Sequence, residues 1–278
     1  MTSTQSSAAA SAEAAGTLTI GGDLVVHRLG FGAMRLTGPG VWGPPPDRAG
    51  AVRVLRRALE LGVNFIDTAD SYGPGVSEEI IAEALHPYPP GLVIATKGGL
   101  TRSGPGNWGR DARPAHLRAA CEGSLKRLRL NRIDLYQLHA VDPNVPLTES
   151  LGELARLQKD GKIRHIGVSN VSSAELGRAQ RTVTVVSVQN RYNLSDRASE
   201  DVLSACEAQA IAFIPWFPLG AGRDAANAQQ VLAWLLARSP MMLPIPGTSS
   251  VAHLEENVAA AAVRLSAQQK QALAGSGD

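Results

Sequence analysis

The sequence predicts an α/β protein, a (β/α)8 TIM barrel with a short N-terminal β-hairpin. Eight short apolar stretches of strand length alternate with longer stretches that show helical spacing. Such an alternation is typical of a parallel sheet covered by helices, and eight units favour a closed barrel over an open sheet. No Gly-x-Gly-x-x-Gly turn follows the first strand, which counts against a Rossmann domain.

The predicted elements follow one another in a regular order. A hairpin turns around Gly21-Gly22-Asp23 and leads into a first core strand that ends near Met34. The seven later strands are predicted at residues 63–67, 92–97, 134–139, 163–169, 183–189, 212–217 and 242–246. The helices are predicted at residues 48–61, 77–86, 114–128, 148–160, from 172 onwards, 198–209, 228–238 and 250–262.

Two local patterns support the helix assignments. Val52, Leu55 and Leu59 share one face of the first helix, as the helical period requires of a side that packs on a core. A capping box, Ser172-x-x-Glu175, opens the fifth helix.

The composition limits the domain organisation and the partners. The 278 residues, 44% of them hydrophobic, suffice for one large core, and we expect a single domain over residues 17–278. Residues 1–16, rich in Ser, Ala and Thr, lack the features of a signal peptide and predict a disordered tail. A net charge of +2 and the lack of a run of about 18 apolar residues favour neither nucleic acid nor a membrane as a partner.

The two cysteines indicate a reducing compartment. Cys121 and Cys206 lie within helical patterns, without the spacing of metal ligands, so we expect buried free thiols and no metal site. Together with the composition, this predicts a soluble, cytoplasmic protein. The sequence does not predict the oligomeric state.

Polar residues fall repeatedly at the predicted carboxyl ends of strands, where barrels carry their function. Asp67 ends one strand and Tyr72 lies in the loop that follows, whereas Lys97 and His139 end the next two strands. Four later strand-end positions, Ser169, Asn170, Gln189 and Trp216, fall on the same face.

The four residues Asp67, Tyr72, Lys97 and His139 suit the protonation of an oxygen that becomes negative during a reaction. A phenol with a pKa near 10 is a poor acid unless a cation such as Lys97 stabilises its anion. Asp67 would keep that lysine charged, and His139 would orient a substrate oxygen. No serine–histidine–acid arrangement is indicated, so another species must supply the electrons.

Each of the four residues also has a purely structural explanation. Asp67 could cap a loop, Tyr72 could pack with its hydroxyl in solvent, Lys97 could be a solvated strand end, and His139 could be a core histidine. Their joint occurrence at strand ends on one face favours a catalytic site.

Six motifs occur together, namely GVNFIDTADSYG (62–73), ATKGG (95–99), DLYQLH (134–139), GKIRHIGVSN (161–170), VQNRYNL (188–194) and PIPGTSSVAHLEEN (244–257). With them the chain resembles the aldo-keto reductase superfamily over nearly its whole length from about residue 17. The segment 30–48, together with FPLG and PIPGTSSVAHL, resembles the bacterial pyridoxal reductase-like branch.

The resemblance implies reduction of carbonyls to alcohols by a nicotinamide cofactor, usually NADPH, on a (β/α)8 barrel. It makes Tyr72 the general acid that protonates the carbonyl oxygen. Lys97, paired with Asp67, would lower the pKa of Tyr72, and His139 would hydrogen-bond the carbonyl oxygen.

The resemblance also implies a set of cofactor contacts. Ser169, Asn170 and Gln189 would hold the carboxamide, and the nicotinamide ring would stack on Trp216. The other expected contacts are Met34, Arg35, Phe217, Pro218, Leu219, Gly220, Gly247, Thr248, Ser249, His253, Glu256 and Asn257. Trp216 could instead belong to the barrel core, and Ser169 with Asn170 could also open a helix.

Two departures from the family pattern concern the cofactor. Gly247 and His253 stand where relatives often carry a Lys and an Arg that clamp the 2′-phosphate, so NADH is a possible cofactor besides NADPH. Thr248, Ser249 and the N–H groups of a helix start could still bind a phosphate. The segment 220–229 is shorter than in relatives and predicts an open pyrophosphate site with fast cofactor exchange.

Two loop tryptophans, Trp42 and Trp108, are expected to wall a planar substrate, although both could simply anchor their loops. A short tail after the last helix predicts a wide pocket that favours pyridoxal and other aromatic aldehydes over steroids.

Two other functions stay open. A cofactor-binding redox sensor or regulatory subunit with little turnover would keep the fold, and turnover would distinguish it from an enzyme. A lyase that uses Lys97 as a Schiff-base amine is disfavoured because Asp67 should keep that amine protonated.

Overall fold

A computed structural model describes residues 10–222 and 227–275 of the chain. Eleven strands are formed among these residues: β1 (Thr17–Ile20), β2 (Leu24–His27), β3 (Phe31–Gly32), β4 (Phe65–Asp67), β5 (Val93–Gly98), β6 (Leu100–Gly104), β7 (Asn107–Arg110), β8 (Ile133–Leu138), β9 (Ile163–Ser169), β10 (Val185–Gln189) and β11 (Ala212–Phe213). The α-helices among the same residues are α1 (Arg48–Glu60), α2 (Val76–Leu85), α3 (Pro114–Leu128), α4 (Leu147–Lys159), α5 (Ser173–Gln180), α6 (Glu200–Ala208), α7 (Ala228–Arg238), α8 (Val251–Ala259) and α9 (Ala267–Gly275).

Seven parallel strands of the described chain form a curled sheet in the order β3-β4-β5-β8-β9-β10-β11. The segment 242–246 does not form the predicted eighth strand. It lies extended across the gap, where Leu243 N donates to Phe213 O (2.9 Å) and Gly30 N donates to Pro244 O (2.9 Å). Prolines at 244 and 246 lack the N–H groups that a regular ladder needs. The sheet with its covering helices confirms the predicted barrel fold.

The hairpin β1–β2 closes the amino end of the barrel. Its inward side chains belong to the same apolar cluster as the barrel interior, a cluster formed by Leu18, Ile20, Leu24, Val26, Phe65, Val93, Ala95, Leu135, Val186, Ala212, Ile214, Leu243 and Ile245. Asn64, just before β4, fastens the hairpin: its Oδ1 accepts from His27 N (2.8 Å) and its Nδ2 donates to Val25 O (3.1 Å). The carboxyl end of the barrel is therefore the end that is left for a site.

The sequence patterns that predicted helices match the helices of the structure in most details. Val52 and Leu55 are buried on α1, whereas Leu59 is half-buried. Ser172 and Glu175 form the predicted capping box at the start of α5. The predicted helix at 250–262 divides into α8 and a 3₁₀ turn, Ala260–Ala262.

Three elements differ from the expectations. A 3₁₀ helix, Ala12–Ala15, lies within the predicted disordered tail and buries Ala12, whose N–H donates to Leu61 O (2.8 Å). Residues 1–9 of that tail lie outside the described residues. The antiparallel hairpin β6–β7 and the C-terminal helix α9 were not predicted. The boundaries of a single domain at 17–278 stay a prediction.

No helix in residues 10–222 and 227–275 combines the length and apolar character that crossing a membrane requires.

A buried polar group, the carboxylate of Glu78, connects α2, β5 and α3. Glu78 is fully buried and accepts from Arg127 Nε (2.7 Å) and Thr96 Oγ1 (2.5 Å). Asp70, in the β4–α2 loop, has a buried Oδ1 without a hydrogen-bond partner. Burial, with a further contribution from the charge of Glu78, raises the pKa of Asp70 to about 8.

We therefore expect Asp70→Asn to stabilise the protein in a pH-dependent way. The folded chain keeps the Asp70 proton up to about pH 8, whereas an unfolded chain releases it near pH 4. Stability consequently falls as the pH rises between these values, and Asn removes that loss. The variant should gain about 2–5 kcal/mol at pH 8 and much less at pH 5, measured by urea unfolding.

Asp201→Asn is the matched control. A hydrogen bond from the Ser173 hydroxyl (2.6 Å) lowers the pKa of Asp201, so the effect of this substitution should not vary between pH 5 and 8. Parallel stability curves for wild type and Asp70→Asn over this range would contradict the argument.

Candidate active site

A cavity of about 500 Å³ opens at the carboxyl ends of the strands. The predicted site residues that line it are Met34, Arg35, Asp67, Tyr72, Trp108, His139, Ser169, Asn170, Gln189, Trp216, Phe217, Pro218, Leu219, Gly247, Thr248, His253, Glu256 and Asn257. The lining residues that the sequence analysis missed are Gly32, Leu100, Gly222, Ala228, Ile245 and Pro246. Most of these are Gly or apolar residues, which carry no chemical signal in a sequence.

Asp67 and Lys97 form a fully buried ion pair at the floor of the cavity. Neighbouring strands β4 and β5 end side by side and bring Lys97 Nζ to 2.7 Å from Asp67 Oδ2. The same ammonium donates to Thr68 O (2.8 Å). The other carboxylate oxygen of Asp67 accepts from the amides of Gln189 (2.8 Å) and Gln137 (3.3 Å). Both charges are thus satisfied without water.

The ion pair keeps Lys97 charged in spite of its burial. Burial alone would lower the pKa of Lys97, but the charge of Asp67 and the neighbouring Tyr72 outweigh it, so the pKa lies above its ordinary value. Lys97 Nζ lies 3.5 Å from the hydroxyl of Tyr72. This separation is long for a hydrogen bond and short enough for a strong electrostatic effect.

Tyr72 holds its proton at neutral pH. Burial raises the pKa of Tyr72, and the positive charge of Lys97 opposes this rise. Lys97 thus lowers the pKa, as expected from the sequence, but burial has the larger effect and the pKa stays above its ordinary value. The phenol is therefore a neutral group with a proton to give.

His139 is a neutral imidazole beside Tyr72. Burial, aided by the charge of Lys97, puts the pKa of His139 well below its ordinary value. The two rings meet edge to face, with centroids 5.8 Å apart. Ser71 Oγ lies 3.4 Å from His139 Nδ1 and is a site residue that the sequence analysis missed, although it directly precedes Tyr72.

The predicted carboxamide residues form a linked set next to His139. Asn170 Nδ2 donates to His139 O (2.9 Å), and Asn170 Oδ1 accepts from Trp216 Nε1 (3.0 Å). Ser169 Oγ donates to Gln189 O (2.7 Å). The indole of Trp216 is therefore held in one orientation at the cavity wall, as a stacking surface requires.

The far end of the cavity has the donors that a phosphate-bearing cofactor needs. Helix α8, capped by Ser250, begins at the cavity. Thr248, just before the cap, and His253, in the first turn, line the cavity, as does Arg35. At Gly247 a Cβ atom would come within 2.4 Å of Gly32 O, so any larger residue would displace the backbone there. With the fixed indole of Trp216, this donor set fits a nicotinamide dinucleotide.

Four predicted contacts lie outside the cavity lining. Lys97 is buried behind Tyr72 and Asp67, and Gly220 and Ser249 are not lining residues. Trp42 is not a lining residue either, and its ring lies 5.9 Å from the guanidinium of Arg102. Within segment 220–229, residues 223–226 lie outside the described residues, so its effect on cofactor exchange stays a prediction.

Of the two loop tryptophans expected to wall a substrate, Trp108 lines the cavity. Its ring meets Tyr72 edge to face, with centroids 6.5 Å apart, and 43% of the residue is exposed. Leu100 lines the cavity from the same hairpin. In residues 10–222 and 227–275, no three His, Cys, Asp or Glu side chains are grouped so that they could hold a metal ion.

Known proteins are similar to this chain in sequence and in fold. The chain is 49% identical over 283 residues to an uncharacterised oxidoreductase of Schizosaccharomyces pombe (96% of this chain, 92% of that protein). It is 44% identical over 270 residues to pyridoxine 4-dehydrogenase of Escherichia coli (90% and 94%). A glycerol dehydrogenase from Gluconobacter oxydans superimposes with a TM-score of 0.84 at 29% identity (93% and 94%). An aldo-keto reductase from Klebsiella pneumoniae in complex with NADPH superimposes with a TM-score of 0.78 at 29% identity (92% and 93%).

The sequence profile of the aldo/keto reductase family matches residues 28–229 and 223–277. The profile and the identities over most of the chain confirm the resemblance seen in the motifs: the chain belongs to the aldo/keto reductase family.

Proposed function

We propose that the protein reduces an aldehyde or ketone with NADPH and that Tyr72 is the proton donor. Family membership makes the chain an NAD(P)H-dependent oxidoreductase. The observation that carries the proposal is a protonated, buried phenol 3.5 Å from the ammonium of Lys97 at the floor of the cavity. A group in this position can protonate an oxygen and then be stabilised as its anion.

Each residue of the site has one task in this reaction. The carbonyl oxygen lies between Tyr72 and His139, whose neutral ring can donate a hydrogen bond without competing for the Tyr72 proton. Tyr72 gives its proton to the oxygen, and Lys97 stabilises the phenolate that is left. Asp67 keeps the lysine charged throughout.

NADPH would be held by the groups along the cavity. Trp216 would support the nicotinamide ring, the linked set of Ser169, Asn170 and Gln189 would lie at its carboxamide, and the α8 start with Arg35 and His253 would bind phosphate. When bound, the cofactor supplies the hydride that reduces the carbonyl carbon.

For the substrate we propose pyridoxal or another aromatic aldehyde. Trp108 and Leu100 provide an apolar wall next to Tyr72, which suits a planar ring. The Escherichia coli relative, a pyridoxine 4-dehydrogenase, supports the same substrate class. Buried free thiols at Cys121 and Cys206 support our expectation that the enzyme acts in the reducing cytoplasm.

Tyr72→Phe should abolish most of the turnover. Loss of the proton donor is expected to lower kcat/KM by about 10²–10⁴-fold, because general acid catalysis contributes about that much. The measurement is NADPH consumption with pyridoxal and benzaldehyde, alongside NADPH binding by fluorescence, which should change little.

Tyr88→Phe is the control, since that hydroxyl donates to Leu128 O (2.6 Å) away from the cavity. Full activity of Tyr72→Phe would show that the proton donor is another group. Tight NADPH binding by the wild type without turnover of any carbonyl would favour the redox-sensor alternative.

The pH dependence of the two reaction directions should differ. Carbonyl reduction needs protonated Tyr72, whose raised pKa predicts a rate that stays level from about pH 6 to 9. Neutral His139 and charged Lys97 add no transition in this range, since their pKa values shift away from it. Asp70 does ionise near pH 8, but its negative charge raises the pKa of Tyr72 further and so leaves the phenol protonated. Alcohol oxidation needs the phenolate, so its rate should rise across the same range. A reduction rate that halves between pH 6 and 8 at saturating NADPH would contradict these protonation states.

His253→Arg should strengthen the preference for NADPH. His253 is exposed at the cavity, and an arginine there can bind the 2′-phosphate with two hydrogen bonds. The KM for NADPH is expected to fall by about 3–10-fold while that for NADH stays unchanged. Ala252→Arg, on the next exposed residue of α8, is the control for added charge alone. Equal gains for both cofactors would contradict a phosphate contact at residue 253.

A further inference from the structure

Arg102, on β6, donates all five of its N–H groups to main-chain carbonyls. Its Nε donates to Asn107 O (3.0 Å). Its Nη1 donates to Val41 O (2.7 Å) and Ser71 O (3.3 Å). Its Nη2 donates to Gly40 O (2.7 Å) and Gly104 O (3.2 Å). Because an arginine has five donors, this set leaves none for a substrate anion. We call the five acceptors, Gly40, Val41, Ser71, Gly104 and Asn107, the carbonyl cage.

The carbonyl cage joins three segments that are far apart in sequence. One is the loop at residues 40–41, another is the turn of the β6–β7 hairpin, and the third is Ser71, which precedes Tyr72. Val41 has a φ of 56°, an unfavourable value for a β-branched residue, and its carbonyl makes one of the shortest bonds to Arg102. Such a conformation persists where surrounding contacts enforce it.

Arg102 also contacts Trp108, which lines the cavity. Its guanidinium carbon lies 3.7 Å from the ring centroid of Trp108, within the range of a cation–π contact. All four residues of β7, including Trp108, are exposed, so apolar burial contributes little to the position of this strand. The indole is therefore placed by the β6–β7 ladder, in which Trp108 pairs with Arg102, and by the hydrogen bonds and the stacking of the Arg102 side chain.

We propose that Arg102 is a positioning residue that sets Trp108 as the substrate wall and thereby determines the preference for planar aromatic carbonyls. The inference rests on the proposed reductase function. Arg102 takes no part in proton or hydride transfer. It acts on the substrate through Trp108, whose ring stands 6.5 Å from that of Tyr72.

The test compares benzaldehyde with propanal as substrates of wild type, Arg102→Lys and Trp108→Leu. Lysine keeps the positive charge but has three donors at one point and cannot bind five carbonyls. We expect the ratio of kcat/KM for benzaldehyde to that for propanal to fall about tenfold in each variant, a loss equal to one aromatic stacking contact. The fall should appear in the KM for benzaldehyde rather than in kcat.

The double variant separates an action through Trp108 from a general loosening of the site. If Arg102 works through the indole, Arg102→Lys should cause no further fall in the ratio when Trp108 is already Leu. Arg110, on the same hairpin, donates to Val141 O. Arg110→Lys is therefore the matched control and should leave the ratio unchanged.

Each other result has a definite meaning. An unchanged ratio in Arg102→Lys, additive losses in the double variant, or an Arg102→Lys protein that does not fold by circular dichroism would overturn the inference while the reductase function stands. A wild type that reduces propanal but not benzaldehyde would also overturn it. A wild type that reduces neither aldehyde with NADPH would contradict the proposed function itself.

Discussion

The buried ion pair of Lys97 and Asp67 is the interaction on which the rest of the site depends. Two charges taken from water into a protein interior lose several kcal/mol of hydration each, and their attraction repays this only when the remaining donors and acceptors are satisfied. Here Thr68 O accepts a hydrogen bond from the ammonium, and the amides of Gln137 and Gln189 donate hydrogen bonds to the carboxylate. All these groups lie on strands of the one parallel sheet, β4, β5, β8 and β10, or directly after them, so the barrel itself holds the pair together.

The pair is neutral as a whole, and this neutrality decides what the cavity can do. Burial keeps Tyr72 protonated and His139 uncharged, while the nearest positive charge is held behind the phenol on Lys97. An uncharged carbonyl can enter without displacing any charge. In the reaction we propose, negative charge that develops on its oxygen is met by the Tyr72 proton and by the field of a fixed ammonium in a medium that screens weakly. The same burial that makes Tyr72 a weak acid in the resting protein makes the lysine effective during the reaction.

Strand-end chemistry could be predicted from the sequence, because parallel strands end at one edge and polar residues there are conspicuous. Asp67, Lys97 and His139 needed only the alternation of strands and helices to be placed together. The net direction of the Tyr72 pKa needed the depth of burial, which a sequence does not contain. Residues 242–246 have the apolar content of a strand, but their prolines remove the N–H groups, so only an extended crossing remains.

The hairpin β6–β7 and its arginine were missed for a different physical reason. β7 is exposed throughout and shows no alternation of apolar and polar faces, so no pattern predicts a strand there. Arg102 binds main-chain carbonyls, which every residue type supplies, and so no partner residue marks it in the sequence. Trp42 illustrates the same limit, since an aromatic loop residue lines a cavity or supports a neighbour according to contacts between distant loops. In the roles we propose, the chemistry rests on strand ends that a sequence reveals, whereas substrate selection rests on loop contacts that only a folded chain defines.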